Sequence, residues 1–418
     1  MKRAVVFLAL LVLVSVSFIS CGGYSVPKPP SGLYDRVLAS QDVSSLTARA
    51  GLVIIDAAAN EDVLARRPEI SAGGAPGLLA ISPTRLTLLA FDSSSNQVDI
   101  VDTQTEAVAG AVQLPGPTTS MVIPSSANLA YAAVPTVLVT GSAPGAIEVM
   151  NLSTGSVSYT IGVPNAQTVV SNSDGSQLLV FSGDSDVVTV VSPTLINISN
   201  PVVTVPGFDR PVYAVFNGAT AYVLNCGAQC GGTQASVQTL DTSTTPPTVG
   251  PSYPVDAATY GLLNGSTLYV AGTSPTNSAC TGETTAAPVC GRLDLFDLNS
   301  LTVTSSLVIT DGYHDRMDMS GNGQLFIGSH TCTSVGNVNN PQGEVRGCLS
   351  ILNTSTNSIV IPPDNGDVTG LQGFTSRYVE YVAEGGNLRI YDTTQDVLQT
   401  VQITLTGQVI DLKAIDFF

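Results

Sequence analysis

This chain of 418 residues has no tryptophan, only two histidines and only 11% charged residues. The lack of Trp removes the side chain that stacks best on sugars and cations. Two histidines are too few for a multi-histidine metal centre. The sequence also lacks GxSxG, a Walker-type phosphate loop, HExxH and CxxCH, which mark common hydrolase, nucleotide, zinc and haem sites. We therefore predict no metal and no cofactor.

Basic residues are outnumbered, because the chain has 15 Lys and Arg against 32 Asp and Glu and a formal net charge of −17. No basic stripe is present to neutralise phosphates, so nucleic acid is not a predicted partner. The acidic residues are scattered along the chain, which is typical of solubilising charge on an exported surface.

The amino terminus has the pattern of a targeting segment. Lys2 and Arg3 precede a mostly apolar run, residues 4–19, that is too short for a comfortable membrane span. The run leads into Phe-Ile-Ser-Cys, which ends at Cys21 and is followed by Gly22. This sequence resembles a bacterial lipobox, with Phe at a position where Leu is usual.

The lipobox resemblance implies that residues 1–21 are a lipoprotein signal peptide. Cys21 would then be the lipidated first residue of an extracytoplasmic, membrane-anchored protein. The alternatives are an ordinary secretory signal and an uncleaved anchor. Gly22 stands where an Asp retains many lipoproteins at the inner membrane, so the resemblance favours the outer membrane or cell surface in a Gram-negative host. Residues 22–33 predict a flexible Gly/Pro tether.

The chain is rich in one type of segment, an aliphatic strand that ends on Asp, Asn or Ser. Eight copies end at Asp56, Asp102, Asn151, Ser192, Asp241, Asp297, Asn353 and Asp392. The first and last of these positions lie 336 residues apart, so the mean spacing is 48 residues. A period near this value, with several strands per repeat, is typical of a β-propeller. We therefore predict an all-β fold.

Each repeat contains four predicted strands. In residues 257–312 the first two strands meet at Asn264-Gly265, which favours a tight hairpin turn, and the third strand ends at Asp297. The side chain of this terminal Asp can accept hydrogen bonds from the backbone amides just beyond it. We therefore interpret the eight terminal residues as turn-closing groups, not as ligands.

The second strands resemble those of the YVTN-type β-propeller repeat family. They read AYVLN at 221–225, LYVAG at 268–272, LFIGS at 325–329 and LLVFS at 178–182. The resemblance covers about residues 36–418 and implies the fold more than any activity. The absence of Trp argues against a WD40-type blade.

The two ends of the chain complement each other. Residues 34–77 supply strands two, three and four of a repeat, whereas residues 409–418 form a lone strand after a complete repeat. Joining them in one blade would close the ring and remove exposed strand edges. We predict a single propeller domain, residues 34–418, of eight four-stranded blades, with seven blades as the alternative.

Six cysteines remain beside Cys21, an even number that suits an exported, disulfide-bonded protein. They lie between the second and third strands of three consecutive repeats, as Cys226/Cys230, Cys280/Cys290 and Cys332/Cys348. Several pairings are possible, and local pairs that each close one loop are the simplest prediction. Zinc at the first pair is disfavoured, because no second Cys pair or His pair lies nearby.

Residues 313–318 (YHDRMD) form an unusually polar first strand, the strand that lines the central channel of a propeller. Unpaired buried charge is costly, so this cluster needs water or partners. Strict alternation would place His314, Arg316 and Asp318 on one face and Asp315 on the other. The second histidine, His330, ends the next strand, and we expect it at the opposite end of the blade.

We consider His314, Asp315, Arg316 and Asp318 candidate ligand-binding residues, with Arg210 as a weaker candidate for the same channel. The alternatives are a structural network of ion pairs and a catalytic site. The leading functional hypothesis is a lipid-anchored propeller that binds a protein, a peptide or an envelope component through its disulfide-pinned loops. The others are a lactonase-like envelope hydrolase that uses the channel residues, and a purely structural surface protein.

Overall fold

The computed structural model describes residues 28–42, 51–57, 69–125, 128–139, 141, 143–193, 202–273, 290–332, 335–336, 345–362, 366–374, 376–400, 403, 405 and 407–416. The predicted signal peptide, the lipidation site Cys21 and most of the tether lie outside these ranges. Within these ranges no helix is long and apolar enough to cross a membrane.

The described chain is built from strands. In chain order they are β1 Arg36–Asp42, β2 Leu52–Asp56, β3 Pro76–Ile81, β4 Thr87–Asp92, β5 Gln97–Asp102, β6 Ala107–Gln113, β7 Ser120–Val122, β8 Leu129–Val134, β9 Ala146–Asn151, β10 Ser156–Gly162, β11 Thr168–Ser171, β12 Leu178–Phe181, β13 Val187–Val191, β14 Val202–Pro206, β15 Pro211–Asn217, β16 Thr220–Asn225, β17 Ser236–Asp241, β18 Thr248–Pro254, β19 Tyr260–Asn264, β20 Thr267–Thr273, β21 Gly291–Asp297, β22 Thr302–Ile309, β23 Tyr313–Met319, β24 Gln324–His330, β25 Val335–Gly336, β26 Val345–Arg346, β27 Leu349–Asn353, β28 Ser358–Val360, β29 Val368–Gly373, β30 Val379–Glu384, β31 Asn387–Asp392, β32 Val397–Leu398 and β33 Gln408–Ile415. One 3-10 turn spans Gly227–Cys230.

The strands form eight blades. Seven are four-stranded antiparallel sheets: β3–β6, β7–β10, β11–β14, β15–β18, β19–β22, β23-β24-β27-β28 and β29–β32. The eighth contains β33, β1 and β2 in that spatial order, and a bridge from Leu52 to Ile70 adds the fourth position. A small hairpin, β25–β26, branches from the blade formed by β23, β24, β27 and β28. The all-β, eight-bladed prediction is confirmed, and the seven-bladed alternative is wrong.

The closing blade joins the two ends of the chain. Val37 of β1 pairs with Ala414 of β33 on one side and with Ile55 of β2 on the other. The Ser40 hydroxyl accepts a hydrogen bond from the Asp411 amide (3.0 Å) and donates one to the Gly77 carbonyl (2.6 Å). The predicted closure of the ring by the carboxyl-terminal strand is therefore confirmed.

The core lies between neighbouring blades. Middle strands such as β12 and β16 alternate aliphatic side chains to both faces of their sheet, and each face packs against the next blade. Leu179 and Phe181 of β12, for example, share a fully buried cluster with Ala221 and Val223 of β16. A sheet with two covered faces requires nearly continuous apolar strands, which is why second strands such as β12 and β16 are mostly apolar.

Short side chains close the turn after the third strand, as predicted. The Asp102 carboxylate accepts hydrogen bonds from the amides of Gln104 (2.8 Å) and Thr105 (2.9 Å). Asn151, Asp241, Asp297, Asn353 and Asp392 accept equivalent amide bonds. Hydrogen bonds from the hydroxyls of Ser243 and Thr394, and then from the backbone amides, favour the ionised form and so lower the pKa of Asp241 and Asp392.

The ring has two distinct faces. We call the face at which first strands begin and second strands end the disulfide face, because Cys226 directly follows β16 and Cys332 closely follows β24. The first and second strands of each blade connect at the opposite side, which we call the turn face. Side-chain hydrogen bonds also tie loops of the disulfide face to the blades, such as Gln229 Oε1 with the Thr273 amide (2.8 Å).

Two of the predicted disulfides are observed, Cys226–Cys230 and Cys332–Cys348. Cys290 is also disulfide-bonded, but Cys280 lies outside the described residues, so the Cys280–Cys290 pairing stays a prediction.

Candidate functional site

A central cavity of about 1040 Å³ runs between the first strands. Its wall comes from β3, β7, β11, β15, β19, β23 and the closing strand β33. Much of the wall is apolar or carries small hydroxyl groups. Charged side chains enter from only two of the lining strands, as Asp315, Arg316, Asp411 and Lys413.

A β-bulge in β23 determines which side chains reach the cavity. His314 pairs with Ser329 and Arg316 pairs with Gly328, so Asp315 is the extra residue. A bulge breaks the two-residue alternation, and as a result Asp315 and Arg316 both line the cavity. The prediction that His314 shares a face with Arg316 and Asp318 is therefore wrong. Arg316 and Asp318 remain on one face, where both contact the next blade.

Asp315 lies between His330 and Arg316. Its Oδ1 is 2.9 Å from His330 Nε2, and its Oδ2 is 3.1 Å from Arg316 Nη1. The hydrogen bond to Asp315 raises the pKa of His330 above its ordinary value of 6.5, because it favours the imidazolium form.

His330 is a site residue that sequence reasoning placed wrongly. The expectation of opposite ends is contradicted, because Tyr313 pairs with His330 across the β23–β24 hairpin. An antiparallel hairpin brings the start of its first strand beside the end of its second. The pairing could have been predicted from the sequence, because His314 and His330 lie at nearly equal distances on either side of the hairpin turn.

Arg316 is held in place from two sides. Its Nε donates to the Thr369 carbonyl of β29 (2.9 Å), and its Nη1 donates to the Asp315 carbonyl (2.9 Å). Burial lowers the pKa of the guanidinium, but the nearby carboxylates Asp315 and Asp411 raise it by more. Arg316 is therefore a fixed positive charge on the cavity wall.

His314 is not part of the cavity wall. Its side chain is fully buried, and its backbone carbonyl accepts a hydrogen bond from the Thr259 hydroxyl (2.8 Å). Burial lowers the pKa of His314 to about 4, so the ring is neutral at pH 7. We assign His314 to the interior packing of the blade.

Asp318 also turns away from the cavity and interacts with the neighbouring blade. The Gly373 amide donates to its Oδ2 (2.5 Å), and Gln372 Nε2 lies 3.3 Å from the same oxygen. The Glu380 carboxyl lies beside it and is fully buried. Burial, and then the negative charge of Asp318, raise the pKa of Glu380 well above its ordinary value. This arrangement braces the blade interface.

Arg210 lies outside the cavity wall. Its guanidinium reaches the preceding blade, where it donates to the Asp184 carbonyl and has its Nε 3.7 Å from Asp186 Oδ1. Its backbone has a positive φ of 57°, which fits a tight entry into β15. The structure therefore separates Arg210 from the other candidates.

Four cavity residues were missed from the sequence. Tyr213 and Tyr260 occupy neighbouring first strands with ring centroids 4.4 Å apart. On β33, Lys413 Nζ lies 3.0 Å from Asp411 Oδ1. Both pairs could have been found from the sequence. The tyrosines take similar positions in two repeats, and the Asp-x-Lys spacing puts two charges on one face of a strand.

Metal chemistry finds little support among the described residues. The one cluster of three potential donors is Cys332, Cys348 and Asp367. Its two sulfurs form a disulfide, so they are not available as thiolate ligands.

No family model matches this sequence, and no curated protein matches it. The fold is similar to that of "Dihydro-heme d1 dehydrogenase NirN in complex with DHE", with a TM-score of 0.62, 11% identity, and coverage of 93% of this chain and 79% of that chain. It is also similar to the periplasmic gluconolactonase PpgL of Pseudomonas aeruginosa, with a TM-score of 0.51, 13% identity, and coverage of 91% and 99%.

Because the sequence identities are only 11% and 13%, these similarities show the fold alone. The neighbours are propeller proteins, and they include enzymes. The resemblance to YVTN-type repeats and the lipoprotein signal stay predictions from the sequence.

Chemically, the cavity wall offers fixed charges and tyrosine hydroxyls. Burial raises the pKa values of Tyr213 and Tyr260, so both hydroxyls stay protonated and can donate hydrogen bonds. Asp315 and Asp411 are engaged with local partners. The arrangement is better suited to orienting a bound molecule than to activating a strong nucleophile.

Proposed function

We propose that this protein is a lipid-anchored cell-envelope β-propeller that binds its ligand through the disulfide face. The observation that carries the proposal is the position of the polar wall. Asp315 and Arg316 lie near the start of β23, and the adjacent end of β24 leads into the Cys332–Cys348 disulfide. A pinned surface around the mouth of a polar cavity loses little conformational entropy on binding.

The pairing among the polar residues favours binding over catalysis. Asp315 is engaged by His330 and Arg316, and Asp318 is turned into the neighbouring blade. Residues that already satisfy one another provide rigid recognition groups, whereas an acid–base site needs a group free to exchange protons with its substrate. The partner class comprises a small molecule, a peptide or another envelope component, with membrane attachment through Cys21.

Two exposed tyrosines provide a matched test of the binding face. Tyr313 lies at the disulfide face and Tyr378 lies in the β29–β30 connection at the turn face, with exposures of 43% and 61%. The mature protein is expected to gain thermal stability from a low-mass or peptide fraction of its own envelope. Tyr313→Ser should reduce that gain and Tyr378→Ser should not. Equal loss in both variants, or no stabilising fraction, contradicts the proposal.

The lipid anchor has its own test. Replacement of Cys21 by Ser removes the thiol that would be acylated, so a labelled fatty acid fed to the host should be incorporated into the wild-type protein and not into Cys21→Ser. Equal labelling of the two proteins, or labelling of neither, would count against lipidation at this residue.

A second candidate function, hydrolysis of a lactone, is favoured by the His330–Asp315 pair. A carboxylate that orients an imidazole is a common general-base arrangement, and Arg316 could stabilise negative charge on a carbonyl oxygen. Gluconolactone hydrolysis by the purified protein, abolished in His330→Gln and retained in Tyr378→Ser, would support this alternative. A rate equal to the buffer rate would eliminate this lactone as a substrate.

A further inference from the structure

On the cavity wall each carboxylate lies beside a basic side chain, and the cations Arg316 and Lys413 keep donors that no carboxylate uses. Asp411 Oδ2 accepts from the Leu79 amide (3.0 Å), while its Oδ1 accepts from the Leu412 amide (2.8 Å) and Lys413 Nζ (3.0 Å). Asp315 is held by His330 and Arg316. The negative charge of each carboxylate is therefore offset by a basic side chain beside it.

Arg316 and Lys413 retain unused donors. Within the described residues, the contacts of Arg316 involve Nε and Nη1, so its Nη2 is uncommitted, and Lys413 Nζ contacts one acceptor. The two side chains are 31% and 20% exposed, and both line the cavity. Asp411 contacts Lys413 and acts electrostatically on Arg316, so the two cations belong to one charged patch.

The charge balance of this patch selects a monovalent anion. Arg316 and Lys413 carry two positive charges against the two negative charges of Asp315 and Asp411, and His330 adds a third positive charge when it is protonated. One monovalent anion then brings the patch to neutrality, whereas a dianion such as a phosphate monoester would leave a net negative charge in a partly desolvated cavity. One carboxylate can take two or more charge-assisted hydrogen bonds and adds only one negative charge.

The remaining wall is suited to a ring. Tyr213 and Tyr260 stack on each other beside Arg316, which is close enough to influence both hydroxyls electrostatically. The apolar side chains Val215, Leu262 and Met317 extend the same wall. Aromatic and aliphatic walls with a few fixed polar groups are typical of small-molecule sites.

We propose that the central cavity binds an organic acid in which one carboxylate is attached to a ring directly or through one methylene group, with the carboxylate at Arg316 and Lys413 and the ring beside Tyr213 and Tyr260. This site rests on the proposed function, since it deepens the binding role of the disulfide face by naming the class of ligand. The cavity volume is large enough for the ring to carry further substituents.

Calorimetric titration of the mature protein tests the site with three matched probes: 4-hydroxyphenylacetate, its neutral amide, and 4-hydroxyphenyl phosphate. We expect the carboxylate to bind at least about tenfold more tightly than the amide, as for the loss of one charge-assisted hydrogen bond. We also expect it to bind more tightly than the phosphate. No binding of the carboxylate, equal binding of the amide, or tighter binding of the phosphate overturns the proposal.

Charge-removing variants assign the effect to the cavity. Arg316→Gln and Lys413→Gln should each weaken binding of 4-hydroxyphenylacetate about tenfold or more. Arg210→Gln, which removes an arginine outside the cavity, should leave it unchanged. If Arg316→Gln fails to fold because its bond to Thr369 is lost, the affinity of Lys413→Gln for 4-hydroxyphenylacetate still tests the site. Unchanged affinity in Lys413→Gln, or an equal loss in Arg210→Gln, would place the anion elsewhere.

Failure of this site and failure of the proposed function are distinguishable. If envelope fractions still stabilise the protein in a Tyr313-dependent manner while 4-hydroxyphenylacetate does not bind, the ligand class is wrong and the disulfide face stands. If the carboxylate binds through Arg316 and Lys413 but only Tyr378→Ser weakens that binding, the site stands and the proposed face is wrong.

Discussion

At the scale of single residues, the environment of each histidine sets its role. His314 and His330 lie close together in one hairpin, but His314 is enclosed by the blade and His330 faces the carboxylate of Asp315. The same side chain is therefore a neutral packing group at one position and a partner for a charge at the other. The sequence revealed the polar cluster but not this difference, because one bulge reorients the strand.

We predict that the two histidines titrate in separate pH ranges. They are the only two in the sequence, so an NMR titration should show two imidazole signals. One signal, from His330, should titrate above the ordinary pKa of 6.5, since Asp315 stabilises the charged ring. The other, from His314, should stay neutral until about pH 4.

The groups that act on His330 are Asp315, which raises its pKa most, Arg316, which lowers it, and Asp367, which raises it. The stabilisation from the raised pKa is fully present below pH 6.5 and is lost as pH rises through the raised value. His330→Gln should remove the upper titration only. Two signals that both titrate near pH 6.5 would contradict the structure of this hairpin.

Glu380 gives a second pH-dependent prediction. Its pKa is raised by burial and by Asp318, so between the ordinary pKa of 4.5 and the raised value the folded state keeps a proton that the unfolded state has lost. The free energy of unfolding then falls as pH rises. Glu380→Gln keeps the shape without the ionisation, so its stability relative to the wild type should increase with pH in denaturant titrations. A constant difference between the two proteins would show that Glu380 ionises normally.

At the scale of elements, bulges recur near the start of several first strands. Register shifts occur between Pro76 and Leu79, Pro211 and Tyr213, His314 and Arg316, and Val368 and Gly370. The repeat spacing, the hairpin turns and the turn-closing side chains could be predicted, because each depends on a few local residues. The bulges could not, since they arise where eight strands converge on one axis and no local residue type marks them.

The loops at the disulfide face provide an element-scale prediction. Loss of the Cys332–Cys348 disulfide, which has a sequence separation of 16, should cost about 3 kcal/mol on loop-closure grounds. Loss of Cys226–Cys230, with a separation of 4, should cost about 2 kcal/mol. Paired Cys→Ala variants compared by denaturant unfolding measure both values. A larger loss of stability on removal of Cys226–Cys230 than of Cys332–Cys348 would show that loop length does not determine how much each disulfide stabilises the protein.

At the scale of the whole molecule, the two chain ends make one blade, and the last strand serves two purposes. Strand β33 closes the ring against β1 and also brings Asp411 and Lys413 to the cavity. The incomplete sets of strands at the two ends of the sequence predicted this closure of the ring. The contribution of β33 to the charged wall became visible only when its neighbours across the ring were known.

Removal of residues 408–418 should therefore open the ring. The truncated protein would expose the inner edge of β1 and apolar side chains such as Leu38, so we expect a lower unfolding temperature and aggregation. Addition of a synthetic peptide of residues 407–418 should restore part of the stability, and a scrambled peptide should not. A truncated protein as stable as the full chain would contradict closure through β33.

The function that we propose places the ligand in the central cavity, beside Asp315 and Arg316. The most direct measurement is an experimental structure of the protein purified from its own membranes, with any co-purifying molecule retained. We expect density inside the propeller ring, with an anionic group at Arg316 Nη2 and Lys413 Nζ and a ligand ring beside Tyr260. Density on the turn face or on the outer strands, with only water in the cavity, would contradict it.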